Sequence, residues 1–252
     1  MGSKNDDFAG IVIFIETEAG DYELRKNARV TWAAKSRFDR NQVRVEFFVV
    51  AKSSANLGFL LYEYKRFGDV TIAITDEKDV SYALGLLAML DYKEKNYKRA
   101  KCLLRSDINN ILLLRNYAAI CRDTGLAVFA GYHSALDQND LKKATSQMVD
   151  QTLLIGPEVV TQFYKSLRSG KFSKHTEWWS SSSSDDVSLI NALAEEAYQD
   201  VEHFDENSES DFFRFLCSKG STIGYSVRKR PKNPRKVLQD PFAHETRKCI
   251  KP

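Results

Sequence analysis

Three short apolar runs, each too brief for a helix and too continuous for a surface strand, constrain this chain more than any other feature. Gly10-Ile-Val-Ile-Phe-Ile15 is the first, bounded by Gly10 and by Glu16-Thr17-Glu18; Arg44 to Val50 and Asp69 to Ile74 follow it. Such runs suit strands that are buried on both faces. Between the second and third, Leu57, Leu60, Leu61 and Tyr64 recur at helical spacing within Leu57 to Phe67. Strand, helix, strand alternation predicts a parallel sheet with crossover helices.

The pattern continues. Val80 to Leu90 is apolar around nearly its whole circumference and reads as a buried helix, and Ala100 to Leu104 reads as a strand running into Arg105-Ser106-Asp107. Open α/β folds place ligands at the carboxyl ends of their strands, which singles out Asp107. Leu112 to Cys121 and Glu158 to Leu167 read as helices, the latter opened by Pro157, and Leu126 to Ala130 as a strand. The five serines 180–184 read as a loop, with Ser184 or Asp185 capping a helix that runs to about Tyr198. No solenoid period and no internal linker is visible, so the reading is one α/β domain over residues 8–225 followed by a basic, Pro-containing tail over 226–252.

Composition limits the function classes. At 252 residues with 43% hydrophobic and 12% aromatic content, the chain has enough core residues to fold. Lys and Arg exceed Asp and Glu by 37 − 34 = 3, too little to argue for nucleic acid as a partner. The one dense basic cluster, Arg228 to Lys236, reads first as a solvated loop. Cys102, Cys121, Cys217 and Cys249 lack zinc spacing, and their even count is compatible both with two disulfides and with four reduced thiols. No signal peptide or membrane anchor is legible at the amino terminus, so a soluble chain is expected.

Ordered motifs add a resemblance. Arg25-Lys-Asn-Ala-Arg29-Val-Thr31-Trp32 follows the first strand; Glu63-Tyr-Lys-Arg-Phe67-Gly68-Asp69-Val70 opens the third; Leu103-Leu104-Arg105-Ser106-Asp107-Ile108-Asn109 closes the next; and Asp185-Asp186-Val187 starts a late helix. In order and spacing these resemble the Arg-x-x-x-Arg-x-Thr-Trp, Glu-x-x-x-Tyr-Gly-Asp-Ile, Lys-x-Asp-Asp-Asp and Glu-Asp-Val motifs of glycosyltransferase family 31, the β-1,3-galactosyltransferase and β-1,3-N-acetylglucosaminyltransferase type. The likeness spans roughly residues 10 to 200. It implies a GT-A-type nucleotide-diphospho-sugar transferase fold, α/β with a mostly parallel central sheet and flanking helices.

The resemblance further implies a hexosyltransferase that moves galactose or N-acetylglucosamine from a UDP-sugar to a glycan or glycoprotein acceptor with inversion, in the Golgi lumen. Arg25, Arg29 and Asp69 are the implied nucleotide-sugar residues, Asp107 and Asn109 the metal ligands, and Asp186 the general base. A departing diphosphate builds negative charge that cations stabilise, and an acceptor hydroxyl needs a base. Where the family has Asp-Asp-Asp this chain has Asp107-Ile108-Asn109, which leaves one carboxylate and weakens or abolishes binding of Mn²⁺. A relative that keeps the fold, has lost catalysis and binds a partner like a chaperone is therefore the alternative. Each residue also has a plain structural reading. Arg25 and Arg29 can form a solvated helix face, Asp107 can cap the turn before Asn109-Asn110, Asp185 and Asp186 can serve a helix amino terminus, and Trp32 reads as core.

Overall fold

A computed structural model of the chain describes residues 7–36, 38–52, 57–76, 82–112, 114–123, 129–131, 152–172, 189, 192–193 and 224–226. β1 (Ile11–Glu16) is flanked by β2 (Val43–Lys52) and β4 (Cys102–Asp107), and β2 by β3 (Val70–Thr75), all mutually parallel. The continuous apolar run of β1 is explained by this central place: Ile11, Ile13 and Ile15 face one layer, Val12 and Phe14 the other, and all five are buried. Gly10 is required where the chain enters β1. Ile11 N–H donates to the Gln42 carbonyl at 2.8 Å, and a Cβ at position 10 would lie 2.1 Å from that same oxygen.

Beyond β4 the sheet continues through β7 (Leu153–Ile155), antiparallel to β4, to β6 (Phe129–Gly131), giving the order β3-β2-β1-β4-β7-β6. With β7 reversed the sheet is mostly parallel, as expected, and a three-residue strand carries no sequence signal of which strand runs the other way. β5 (Asn110–Leu112) leaves the sheet and pairs antiparallel with β8 (Gly224–Ser226). The stretch Leu112 to Cys121, expected to be one helix, is thus split between the end of β5 and α4 (Leu114–Asp123).

Helices cover both faces. α1 (Tyr22–Val30), α2 (Gly58–Phe67) and α4 pack over one side through Ala28, Leu60, Leu114 and Tyr117, with Trp32 in the same layer as expected. α3 (Tyr82–Asn96) and α5 (Pro157–Arg168) cover the other through Ala83, Leu86, Leu90, Val160 and Phe163. α2 stops at Gly68, whose φ of 63° is the left-handed C-cap conformation that glycine adopts without Cβ strain. α5 begins at Pro157, whose fixed φ suits a first helical position. Cys102 on β4 and Cys121 on α4 form a disulfide within the first of these layers. Cys217 and Cys249 lie outside the described residues, as does the tail beyond Ser226.

Candidate functional site

Because β1, β2, β3 and β4 are parallel, their carboxyl ends share one edge: Glu16, Lys52, Thr75 and Asp107. Glu16 and Asp107 are register partners, and Ile108 N–H donates to the Glu16 carbonyl at 3.0 Å. The loop after β1 closes on itself through Asp21 Oδ2, which accepts from Glu18 N–H at 3.1 Å and from the Thr17 hydroxyl at 3.3 Å.

That loop is clamped from behind by Arg25. Its five N–H donors go to both Glu63 carboxylate oxygens, Thr17 Oγ1 and the carbonyls of Glu18 and Ala19, at 2.5–3.2 Å, with the side chain wholly buried. Arg29, one turn on, donates to Asp69 from Nε and Nη2 and to Glu63 from Nη1 at 2.8 Å. Its guanidinium carbon lies 4.2 Å from the ring centre of Phe67 and 4.8 Å from that of Phe47. The two arginines and two acids come from motifs that lie 34 to 40 residues apart in the pairs of Arg29 with Glu63 and Asp69. Burial pushes the Glu63 carboxyl up, but the hydrogen bonds and charges of Arg25 and Arg29 more than reverse this and hold it below the usual carboxylate value.

This placement differs from both readings of the sequence. The helix face is not solvated, and Arg25, with every donor engaged and no surface, does not face a soluble ligand. Asp69 is likewise spent on Arg29. The three residues assigned to the nucleotide sugar act on the β1–α1 loop and the α1–α2 contact rather than on open solvent.

At the end of β4, Asp107 Oδ1 accepts Asn109 N–H at 2.7 Å and also the Asn109 side-chain amide, an Asx turn of the kind the structural reading allowed. Below it, Ser106 Oγ lies 2.8 Å from Thr152 Oγ1, and Asn110 Nδ2 donates to Ser106 Oγ at 2.9 Å, so a buried hydroxyl and amide cluster fixes the turn to β7. Ile108, the apolar residue between Asp107 and Asn109, is buried in the core. Asp186 lies outside the described residues.

Sequence reasoning gave no role to the Glu16–Arg105 pair. Arg105, nearly buried, donates to Glu16 Oε2 from Nε at 3.0 Å and from Nη2. Gly85 of α3 makes room for it, since a Cβ there would come within 3.2 Å of Glu16 Oε1. The available signal was a charge at the end of each of two adjoining apolar strands, with a glycine inside a helical run.

The donor set does not fit a divalent cation. One carboxylate, Asp107, stands beside an amide whose NH₂ group is turned toward it, and Glu16 is bound to Arg105. Among the described residues no three His, Cys, Asp or Glu side chains gather as ligands, whereas hard cations favour several charged oxygens.

No family model and no curated protein matches the chain. Solved structures resemble it at 11–12% identity: S. aureus TarS 1–349 (TM-score 0.44, over 83% of this chain and 64% of that one), the galactosyltransferase LgtC in complex with donor and acceptor sugar analogues (0.44, over 96% and 97%), and the mannosyltransferase PcManGT from Pyrobaculum calidifontis in complex with GDP-Man and Mn²⁺ (0.43, over 98% and 75%). The chain spans less than two thirds of the TarS segment. Likenesses at this level assign it neither a family nor an activity.

Proposed function

We propose that this chain is a divergent GT-A-type hexosyltransferase of the family 31 kind, which transfers galactose or N-acetylglucosamine from a UDP-sugar to a glycan or glycoprotein acceptor with inversion. One observation carries the reading: Arg25, Arg29, Glu63 and Asp69, drawn from two sequence motifs, meet in a single network that braces the loop at the ligand edge, where a third motif supplies Asp107. The arginines would then serve the donor indirectly, by fixing the loop after β1 beside it. Preorganised backbone at that edge is what a diphosphate leaving group needs.

In the transfer, Asp186 takes the proton of the acceptor hydroxyl. The oxygen attacks the anomeric carbon from the face opposite the diphosphate, and the carbon–oxygen bond to UDP breaks with its electron pair leaving on UDP. Because Asp107 and Asn109 do not fit Mn²⁺, the diphosphate charge is met by the backbone of the braced loop instead. A disulfide at Cys102–Cys121 suits an oxidising compartment such as the Golgi lumen. No helix among the described residues is long and apolar enough to cross a membrane.

The Asx turn at Asp107 and the buried Ile108 favour a second reading, a non-catalytic relative that binds a partner. Thermal unfolding with and without UDP and Mn²⁺ separates the two. The transferase predicts a rise in midpoint with UDP, on the order of 1–3 kcal/mol of added stability at saturating ligand, that Mn²⁺ does not enlarge. No rise under any condition leaves the non-catalytic reading.

A further inference from the structure

α2 packs on the sheet through its inner face, and among the described residues its outer side chains stay largely exposed. Toward the sheet it presents Leu60 and the ion-paired Glu63, with Phe67 half-buried. Toward solvent it holds Phe59 at 65% exposure, Leu61 at 45%, Tyr62 at 48% and Tyr64 at 53%, an apolar load that ordinary surface helices do not carry. Val30, the last residue of the adjacent α1, is 56% exposed as well.

The rings on this face are not scattered. Tyr22 of α1 meets Phe59 edge to face at 5.2 Å, and Phe59 meets Tyr62 at 6.2 Å and 56°. A cation closes each end, with Lys26 over Tyr22 at 5.8 Å and Arg66 over Tyr62 at 5.7 Å. Lys65 is also exposed on α2, and the only acid of that helix, Glu63, is buried. Thus the outer face of α2 carries aromatic and aliphatic side chains flanked by Lys65 and Arg66, while Lys26 on α1 is ion-paired with the exposed Glu23 at 3.1 Å. Because the rings meet at 80° and 56°, they offer edges that insert rather than a flat platform on which a sugar or base would stack.

We propose that the outer face of α1 and α2 is a docking surface for an anionic lipid bilayer. Phe59, Tyr62 and Leu61 enter the headgroup region while Lys65 and Arg66 meet lipid charge; an apolar face with basic flanks has this complementarity. The orientation is independent of whether the sheet edge binds a nucleotide sugar.

Flotation of the full chain with vesicles of phosphatidylcholine, alone or mixed with phosphatidylglycerol, tests it. The chain is expected to float with the mixed vesicles, weakly with the neutral ones, and less at high salt. The double substitution Phe59→Ser with Tyr62→Ser, and separately Lys65→Glu with Arg66→Glu, should each weaken binding about tenfold while leaving the unfolding midpoint near that of the wild type, since all four side chains are exposed. Absence of flotation overturns the proposal. So does flotation unchanged in both variants, which would assign lipid binding to another part of the chain, such as the basic sequence 228–236. Self-association that the ring substitutions abolish, with no flotation, would make the occupant a second copy of the chain.

Discussion

Glu63, buried, and Glu46, partly buried, are carboxylates on opposite faces of one sheet, and they are held by opposite means. Glu63, beneath α1 and α2, sits between two guanidiniums. Glu46, on β2 beneath α3, accepts hydrogen bonds from the hydroxyls of Thr71 and Tyr97 among Phe14, Phe48 and Tyr92, with no guanidinium or ammonium among the described residues bonded to it. Burial pushes the Glu46 carboxyl up, and its hydrogen bonds from Thr71 and Tyr97 only partly offset this. The same residue type is therefore charged for structure on one face and inclined to keep its proton on the other. The difference lies in the partners, since burial acts alike on both.

The largest effect should come from removing the charge on the paired side. Glu63→Ala leaves two arginines facing one another in a dry interior, and its unfolding free energy should fall by about 3–5 kcal/mol; the double substitution Arg25→Met with Glu63→Leu should lose much less. Denaturant titration at neutral pH measures both, and equal losses would mean that the pair contributes only volume.

A pH titration sharpens the contrast. Because the Glu63 carboxyl lies below its ordinary 4.5 in the folded chain, its contribution is fully present above about that pH and is lost as pH falls through the folded value. Glu46 runs the other way. With its folded value raised, its favourable contribution is present below 4.5 and is lost as pH rises toward and through the folded value. The smallest effect follows: Glu46→Gln should be more stable than the wild type at pH 7, on the order of 1 kcal/mol, with the gain vanishing below pH 4.5. A gain that persists in acid would assign it to packing instead.

How far the sequence revealed this arrangement follows from what its patterns encode. β1, β2, β3, α2, α3 and α5 were legible because burial on two faces or on one helical stripe leaves a periodic trace in residue type. The reversed β7 and the β5–β8 pair were not, since three residues carry no period. Arg25, Arg29, Glu63 and Asp69 were found as motif residues, but their mutual pairing was not, because only the fold brings residues 25 and 63 within hydrogen-bonding distance. Asp107 is singled out by its place at a strand end, and the Asx turn there is its plainer use. The pairing of Cys102 with Cys121 was beyond a count of cysteines.

That disulfide bears on the order in which the molecule opens. It closes a loop of 19 residues that contains the Asp107–Asn110 turn and both β5 and the start of α4. A crosslink of this span removes about 3 kcal/mol of unfolded-chain freedom, and it does so only for the segment it encloses. Amide hydrogens in 102–121 should therefore outlast those of α2 in exchange with solvent, and reduction should reverse that ranking while leaving the rest of the sheet protected. The strand end that faces the ligand edge is then the last to loosen in an oxidising environment and one of the first in a reducing one.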